Sequence, residues 1–117
     1  MRIISIDCIN YTAEQIIILF FDIYPELKNN KRKRKHIYIG VTNDIAMSVR
    51  EHNIALDSII FYAQTPTLWT AFKVEKLAND LGFKTGNIEQ NINSTNNCST
   101  YIYAYVIDRF KRENTLE

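Results

Sequence analysis

Strand-like and helix-like patterns take turns along this chain, and no tight hairpin turn joins one strand-like segment to the next. Residues 2–9 read as a short strand. In residues 36–41, Ile37, Ile39 and Val41 share one side, and His36, Tyr38 and Gly40 share the other. Residues 58–63 form a third strand. Residues 101–107 alternate most cleanly, with Tyr101, Tyr103 and Tyr105 against Ile102, Ala104 and Val106. The order is strand, helix, basic loop, strand, helix, strand, helix, strand. It predicts an α+β domain: a small, mainly antiparallel sheet of three or four strands flanked by helices.

The helices are marked at their ends. Thr12 and Gln15 have the spacing of a capping box, and Tyr11 with Ile16 that of a hydrophobic staple. The run from Ile16 to Tyr24 is apolar except at Asp22, so periodicity alone also admits a buried strand. The cap favours a helix that ends near Pro25 or one turn later. Thr42, Asn43 and Asp44 offer cap chemistry for a helix over residues 44–52. Thr65-Pro66 reads as N-cap and first residue of a helix that runs to Leu81 and stops at Gly82.

A chain of 117 residues, 46% hydrophobic, suits one domain with one core. The division expected is an N-terminal strand, helix and basic loop over 1–35, a core over 36–86, a flexible Asn-rich loop over 87–100 and a last strand over 101–110. The longest apolar stretch is only Ile16 to Phe21. A membrane span needs about 20 such residues and a signal-peptide core at least about 7. The expectation is therefore a soluble cytoplasmic protein with no membrane partner. Cys8 and Cys98 lie far apart and form no disulfide framework or zinc motif.

The formal net charge of +1 conceals an asymmetry. Lys28, Lys31, Arg32, Lys33, Arg34 and Lys35 place six cations in eight positions, and the rest of the chain carries eight basic residues against all thirteen acidic ones. Such a run is either a solvated loop or a phosphate contact, and Lys31, Arg32, Lys33, Arg34 and Lys35 are the candidates for the latter. Glu75 is the second anomaly. Leu68, Ala71, Phe72 and Ala78 lie on its side of the helical wheel, so the carboxylate falls on the buried stripe. There it must pair with a Lys or Arg, hold a proton or bind a metal.

The segment His36-Ile37-Tyr38-Ile39-Gly40-Val41-Thr42-Asn43-Asp44-Ile45, followed by Arg50-Glu51-His52-Asn53, resembles the second strand and first helix of the GIY-YIG nuclease domain. Ala71-Phe72-Lys73-Val74-Glu75, with Leu81-Gly82-Phe83, resembles that family's next helix, so the likeness covers about residues 36–86. The resemblance implies phosphodiester cleavage, with Glu75 as ligand of Mg2+ or Mn2+ and Tyr38 near the attacking water. It makes His52 the histidine at the helix end. Two features depart from the pattern. Ser48 stands where the family has an arginine, and no Gly-Ile-Tyr strand precedes residue 36. Tyr103 or Tyr105 on the last strand could reach the face of Tyr38.

Three functions follow from these residues. The first is a nucleic-acid-binding module with weak or no catalysis and no cofactor, whose partner is DNA or RNA. The second is a metal-dependent endonuclease with a rearranged site, in which Tyr38, His52 and Tyr103 are catalytic. The third is a protein-interaction domain on the same fold.

Overall fold

The computed structural model describes residues 2–52, 54, 58–86 and 100–107. The expected loop over 87–100 lies outside them except at Thr100, and so do residues 108–110 of the expected last strand.

The first strand, β1, spans Arg2–Asp7. Helix α1, Ala13–Ile23, begins with the expected capping box: Gln15 N donates to Thr12 Oγ1 at 3.1 Å, and Thr12 N donates to Gln15 Oε1 at 2.8 Å. Two orphan donors are thereby satisfied, which decides the uniform apolar run in favour of helix. Pro25 then opens a short 3-10 turn, Pro25–Leu27.

The expected basic loop is more ordered than its composition suggests. Lys31–His36 forms a second 3-10 turn, capped by Asn30, whose Oδ1 accepts from Lys33 N at 3.3 Å. Arg34 fixes this turn to the body of the protein. Its guanidinium donates to the carbonyls of Leu27 (3.0 Å), Leu81 (2.9 Å) and Lys28 (3.1 Å). It also lies over the Phe21 ring, 4.9 Å from the centroid.

Strand β2, Ile37–Thr42, is buried along its whole length. Helix α2, Ile45–Glu51, is capped by Asp44, with His52 at its other end. Strand β3, Ile59–Gln64, leads to helix α3, Leu68–Leu81. The cap of α3 is Thr67, two residues later than the sequence suggested: Thr70 N donates to Thr67 Oγ1 at 3.1 Å. Thr65 is occupied otherwise, since its amide and its hydroxyl both reach Thr100 O, at 3.0 and 3.1 Å. Gly82, at φ 102°, ends α3 in the left-handed conformation that glycine adopts without a Cβ clash. Strands β4, Lys84–Thr85, and β5, Tyr101–Val106, complete the chain's regular elements among the described residues.

The five strands form one sheet in the order β1-β3-β5-β2-β4. The α+β class holds, but the sheet is larger and more mixed than expected. β5 runs antiparallel to both β3 and β2, whereas the outer pairs, β1 with β3 and β2 with β4, are parallel. Each parallel pair is joined by a crossover that contains helices, so no hairpin signal could announce it. Residues 2–7 thus complete the sheet as an edge strand.

The alternation of the strands sorts the two faces. Ile37, Ile39, Val41, Ala63, Ile102 and Ala104 pack beneath α1 and α3, against Ile16, Phe20, Val74 and Ala78. On the opposite face Tyr38, Ile60, Tyr103 and Tyr105 pack with Ile54 and with Ile45 and Val49 of α2.

Candidate functional site

The strand register assembles the candidate residues. Ile60, Tyr105, Tyr38 and Lys84 stand opposite one another across β3, β5, β2 and β4. Tyr62, Tyr103 and Gly40 form the adjacent row. Opposed residues in a sheet project from the same face. The rows therefore bring Tyr38 beside Tyr103 and Tyr105, with ring centroids 5.8 and 5.4 Å apart.

Gly40 makes this packing possible. A Cβ at that position would lie 2.8 Å from Tyr103 Cζ, Tyr103 Oη and Tyr38 Cε1, closer than real Cβ atoms approach. The glycine of the Tyr-Ile-Gly segment leaves the space that the two rings fill.

Helix α2 closes the group from above. His52 lies 4.6 Å from Tyr38, centroid to centroid, and its Nε2 is 2.8 Å from the Tyr103 hydroxyl. Ser48 is buried in the same place. It donates to Thr42 Oγ1 at 2.8 Å and hydrogen-bonds to Tyr103. Thr42 in turn donates to Asp44 O at 3.0 Å and accepts from Asp44 N at 2.9 Å, which fixes the start of α2. A hydroxyl chain thus runs from the turn before α2 to the middle of β5. Arg50, the nearest cation in sequence to Ser48, is exposed.

Charge is disfavoured at Tyr103, Tyr38 and His52. Burial pushes the Tyr103 phenol up, and the neighbouring Tyr38 adds to the shift. Tyr38 is also raised, mainly by burial, with the Glu75 carboxylate adding to it. Burial lowers His52, against a smaller opposing effect of Glu51. Near neutral pH the cluster holds protonated phenols and a neutral imidazole.

Glu75 sits on α3, is only 4% exposed, and lies within electrostatic reach of Tyr38. Its carboxyl accepts the Val41 backbone N–H, and burial pushes its pKa up to about 7. Pairing between β2 and β4 extends no further than Ile39, so the Val41 amide lies beyond the end of β4. Glu75 supplies the acceptor that β4 does not. Neither ion pair among the described residues involves it. Of the alternatives open in the sequence, pairing with Lys or Arg is not found among the described residues, and the carboxyl instead has a main-chain hydrogen bond and a raised pKa.

No family model, curated protein or solved structure matches this chain.

As a divalent cation site, Glu75 offers one buried carboxyl that is partly protonated at neutral pH and already accepts an amide. Among the described residues, no group of three or more His, Cys, Asp or Glu side chains converges. To hold Mg2+ or Mn2+ this carboxyl would have to lose its proton and release the Val41 amide, with waters and phosphate oxygens completing the shell.

The basic turn lies outside the tyrosine group, against the C-terminal end of α3. Lys31, Arg32, Lys33 and Lys35 are exposed there. The ion pairs among the described residues, Lys28–Asp22 and Lys73–Glu14, use none of these four. Arg34 differs from its neighbours: its three carbonyl contacts make it a structural clasp. Lys84 went unnoticed in the sequence because a two-residue strand has no periodicity to read. The Gly82 stop, followed by Phe83-Lys84-Thr85, is the only signal that a new element starts there.

Proposed function

We propose that this domain binds nucleic acid through its phosphate backbone, on a nuclease-like scaffold with a reduced catalytic set. The observation that carries this reading is the basic turn. Four exposed cations without acidic partners among the described residues are held on an ordered turn by Arg34. A fixed array of cations loses less conformational freedom on meeting a polyanion than a flexible loop would.

The likeness to the GIY-YIG domain is part of the same proposal. The tyrosine that the family carries on a strand before Tyr-Ile-Gly would here be Tyr103. It stands on β5, the antiparallel neighbour of β2, and lies directly over Gly40. The strand would thus come from downstream of the Tyr-Ile-Gly segment instead of upstream. What argues for reduced catalysis is the chemistry of the group. A buried serine at the arginine position and a carboxyl engaged with Val41 leave no cation beside Tyr103, among the described residues, to stabilise charge on a reacting phosphate.

Binding is tested by fluorescence anisotropy with labelled oligonucleotides at several salt concentrations. The parent is compared with a variant in which Lys31, Arg32, Lys33 and Lys35 are all alanine. The expected loss is on the order of 10²-fold near 0.1 M salt, with a shallower salt dependence. Equal affinity of the two proteins would remove the basis of the proposal. The same oligonucleotides incubated with magnesium or manganese test cleavage. Cleavage abolished by Glu75→Ala would establish a working nuclease instead.

A further inference from the structure

Lys84 is remote from the basic run in sequence but adjacent to it in space. The basic turn is seated against Gly82, where a Cβ would lie 3.7 Å from Lys31 O and 3.8 Å from Lys31 Cγ. Arg34 ties the same turn to Leu81 O at 2.9 Å. Two residues beyond Gly82, Lys84 stands opposite Tyr38 on β4, the outermost strand of the sheet. Its side chain is exposed, and neither ion pair among the described residues uses it. The turn that carries Lys31, Arg32, Lys33 and Lys35 therefore adjoins the edge strand that carries Lys84.

Among the described residues, the aromatic rings near this edge are covered: Phe21, the ring against the basic turn, lies under the Arg34 guanidinium and beside Phe83. Tyr38, Tyr103 and Tyr105 are each less than a tenth exposed. Tyr62 and Tyr101 pack edge to face on β3 and β5, which lie on the other side of β2 from β4. Trp69 is 78% exposed, but it belongs to the first turn of α3, at the opposite end of that helix from Gly82.

We infer that Lys84 extends the basic turn into one phosphate-binding rim along the β4 edge, and that this rim takes duplex nucleic acid in preference to a single strand. The inference rests on the reading in which the domain binds nucleic acid. A duplex presents its phosphates as a regular ridge with the bases turned inward, and cations alone suffice to hold it. Single strands gain much of their affinity from bases stacked on exposed aromatic rings. Among the described residues, the rim has the cations and lacks exposed rings.

The experiment compares labelled duplex and single strand of equal length, as DNA and as RNA, across a salt series. The proteins are the parent, Lys84→Ala, Lys84→Glu, Lys84→Arg and the fourfold alanine variant of the turn. The parent should bind duplex more tightly than single strand. Lys84→Ala should weaken duplex binding several-fold and lower the salt slope by about 0.9, the contribution of one phosphate contact. Lys84→Glu should weaken it further, and Lys84→Arg should restore it. Thermal melting of the Lys84 variants should match the parent, because the side chain is exposed. If the fourfold variant loses binding while Lys84→Glu keeps it, the rim is wrong and the basic-turn reading stands. Tighter binding to single strands overturns the duplex preference. A parent that binds neither overturns both readings.

Discussion

The tyrosine face and the basic rim are neighbours in the fold and opposites in chemistry. Tyr38, Tyr103, Ser48 and His52 are polar groups taken out of water, held neutral and hydrogen-bonded to one another. Lys31, Arg32, Lys33, Lys35 and Lys84 are charged, exposed and free of ion pairs among the described residues. A buried network of this kind specifies how α2 sits on the sheet, because each unsatisfied member would be costly. An exposed array contributes little to stability and is available to a partner. The difference separates two properties that the sequence pattern alone would merge. Substitutions in the face should register as stability, and substitutions at the rim as affinity.

Arg34 is the sharpest test of that division, because it belongs to the basic run by sequence and to the core by structure. Arg34→Ala removes three charged hydrogen bonds and leaves the carbonyls of Leu27, Lys28 and Leu81 without that partner. The expected cost is about 2–4 kcal/mol in chemical denaturation. Lys33→Ala, one residue away and exposed, should cost less than about 0.5 kcal/mol. Equal, small losses in both would mean that the clasp does not hold the turn.

Gly40→Ala should come next. The new methyl would meet both tyrosine rings at 2.8 Å, and both rings are buried in the cluster beneath α2. Overpacking of this sort costs about 1–3 kcal/mol. Because Gly40 is far from the rim in role, the folded fraction should bind oligonucleotides as the parent does. An unchanged melting temperature would show that the rings yield easily and that the face is loosely packed.

These residues also show how much of the molecule can be read from its sequence. Local chemistry was legible: the Thr12–Gln15 capping box, the Asp44 cap and the Gly82 stop lie where short-range rules place them. The alternation of residues 101–107 correctly divided Tyr103 and Tyr105 from Ile102 and Ala104. Long-range pairing was not legible. Nothing in Arg2–Asp7 announces a parallel partner nearly sixty positions away, and Lys84–Thr85 is too short to show any pattern. The site was half legible for the same reason. Spacing made Tyr38, His52 and Glu75 candidates. Only the register shows that Tyr103 reaches His52, that Ser48 joins them, and that Glu75 serves the Val41 amide. Composition did not set Arg34 apart, because a run of cations does not reveal which member turns to backbone carbonyls.

Glu75 sharpens the comparison from the other side of the sheet. Its pKa rises from 4.5 to about 7 on burial. Between those values the folded protein binds more protons than the unfolded chain, so this group's contribution to stability is present at low pH and is lost as pH rises through about 7. Glu75→Gln keeps an acceptor for the Val41 amide and cannot ionise. At pH 8 it should be more stable than the parent by about 1–2 kcal/mol, allowing for partial screening by solvent. The difference should shrink as pH falls below 7 and vanish below about 4.5. A glutamine variant that is less stable at pH 8 would mean that the ionised carboxylate has a favourable partner, and would revive the case for a bound cation.

His52 should give the smallest effect, and one of opposite sign. Burial lowers its pKa below the ordinary 6.5. The unfolded chain therefore takes up a proton before the folded protein does. Stability from the neutral imidazole is complete above about 6.5 and declines as pH falls through that value towards the lower folded one. In the parent this decline is opposed by Glu75 over the same interval, so a flat profile would hide both. The Glu75→Gln protein removes one limb and should expose the other as a modest loss of stability between pH 7 and pH 5. Adding His52→Gln, which can still offer an amide hydrogen to the Tyr103 oxygen, should flatten the profile again. If the acid limb survives in the double variant, the titrating group is not His52. The neutral hydrogen bond to Tyr103 would then not be what holds the end of α2 on the sheet.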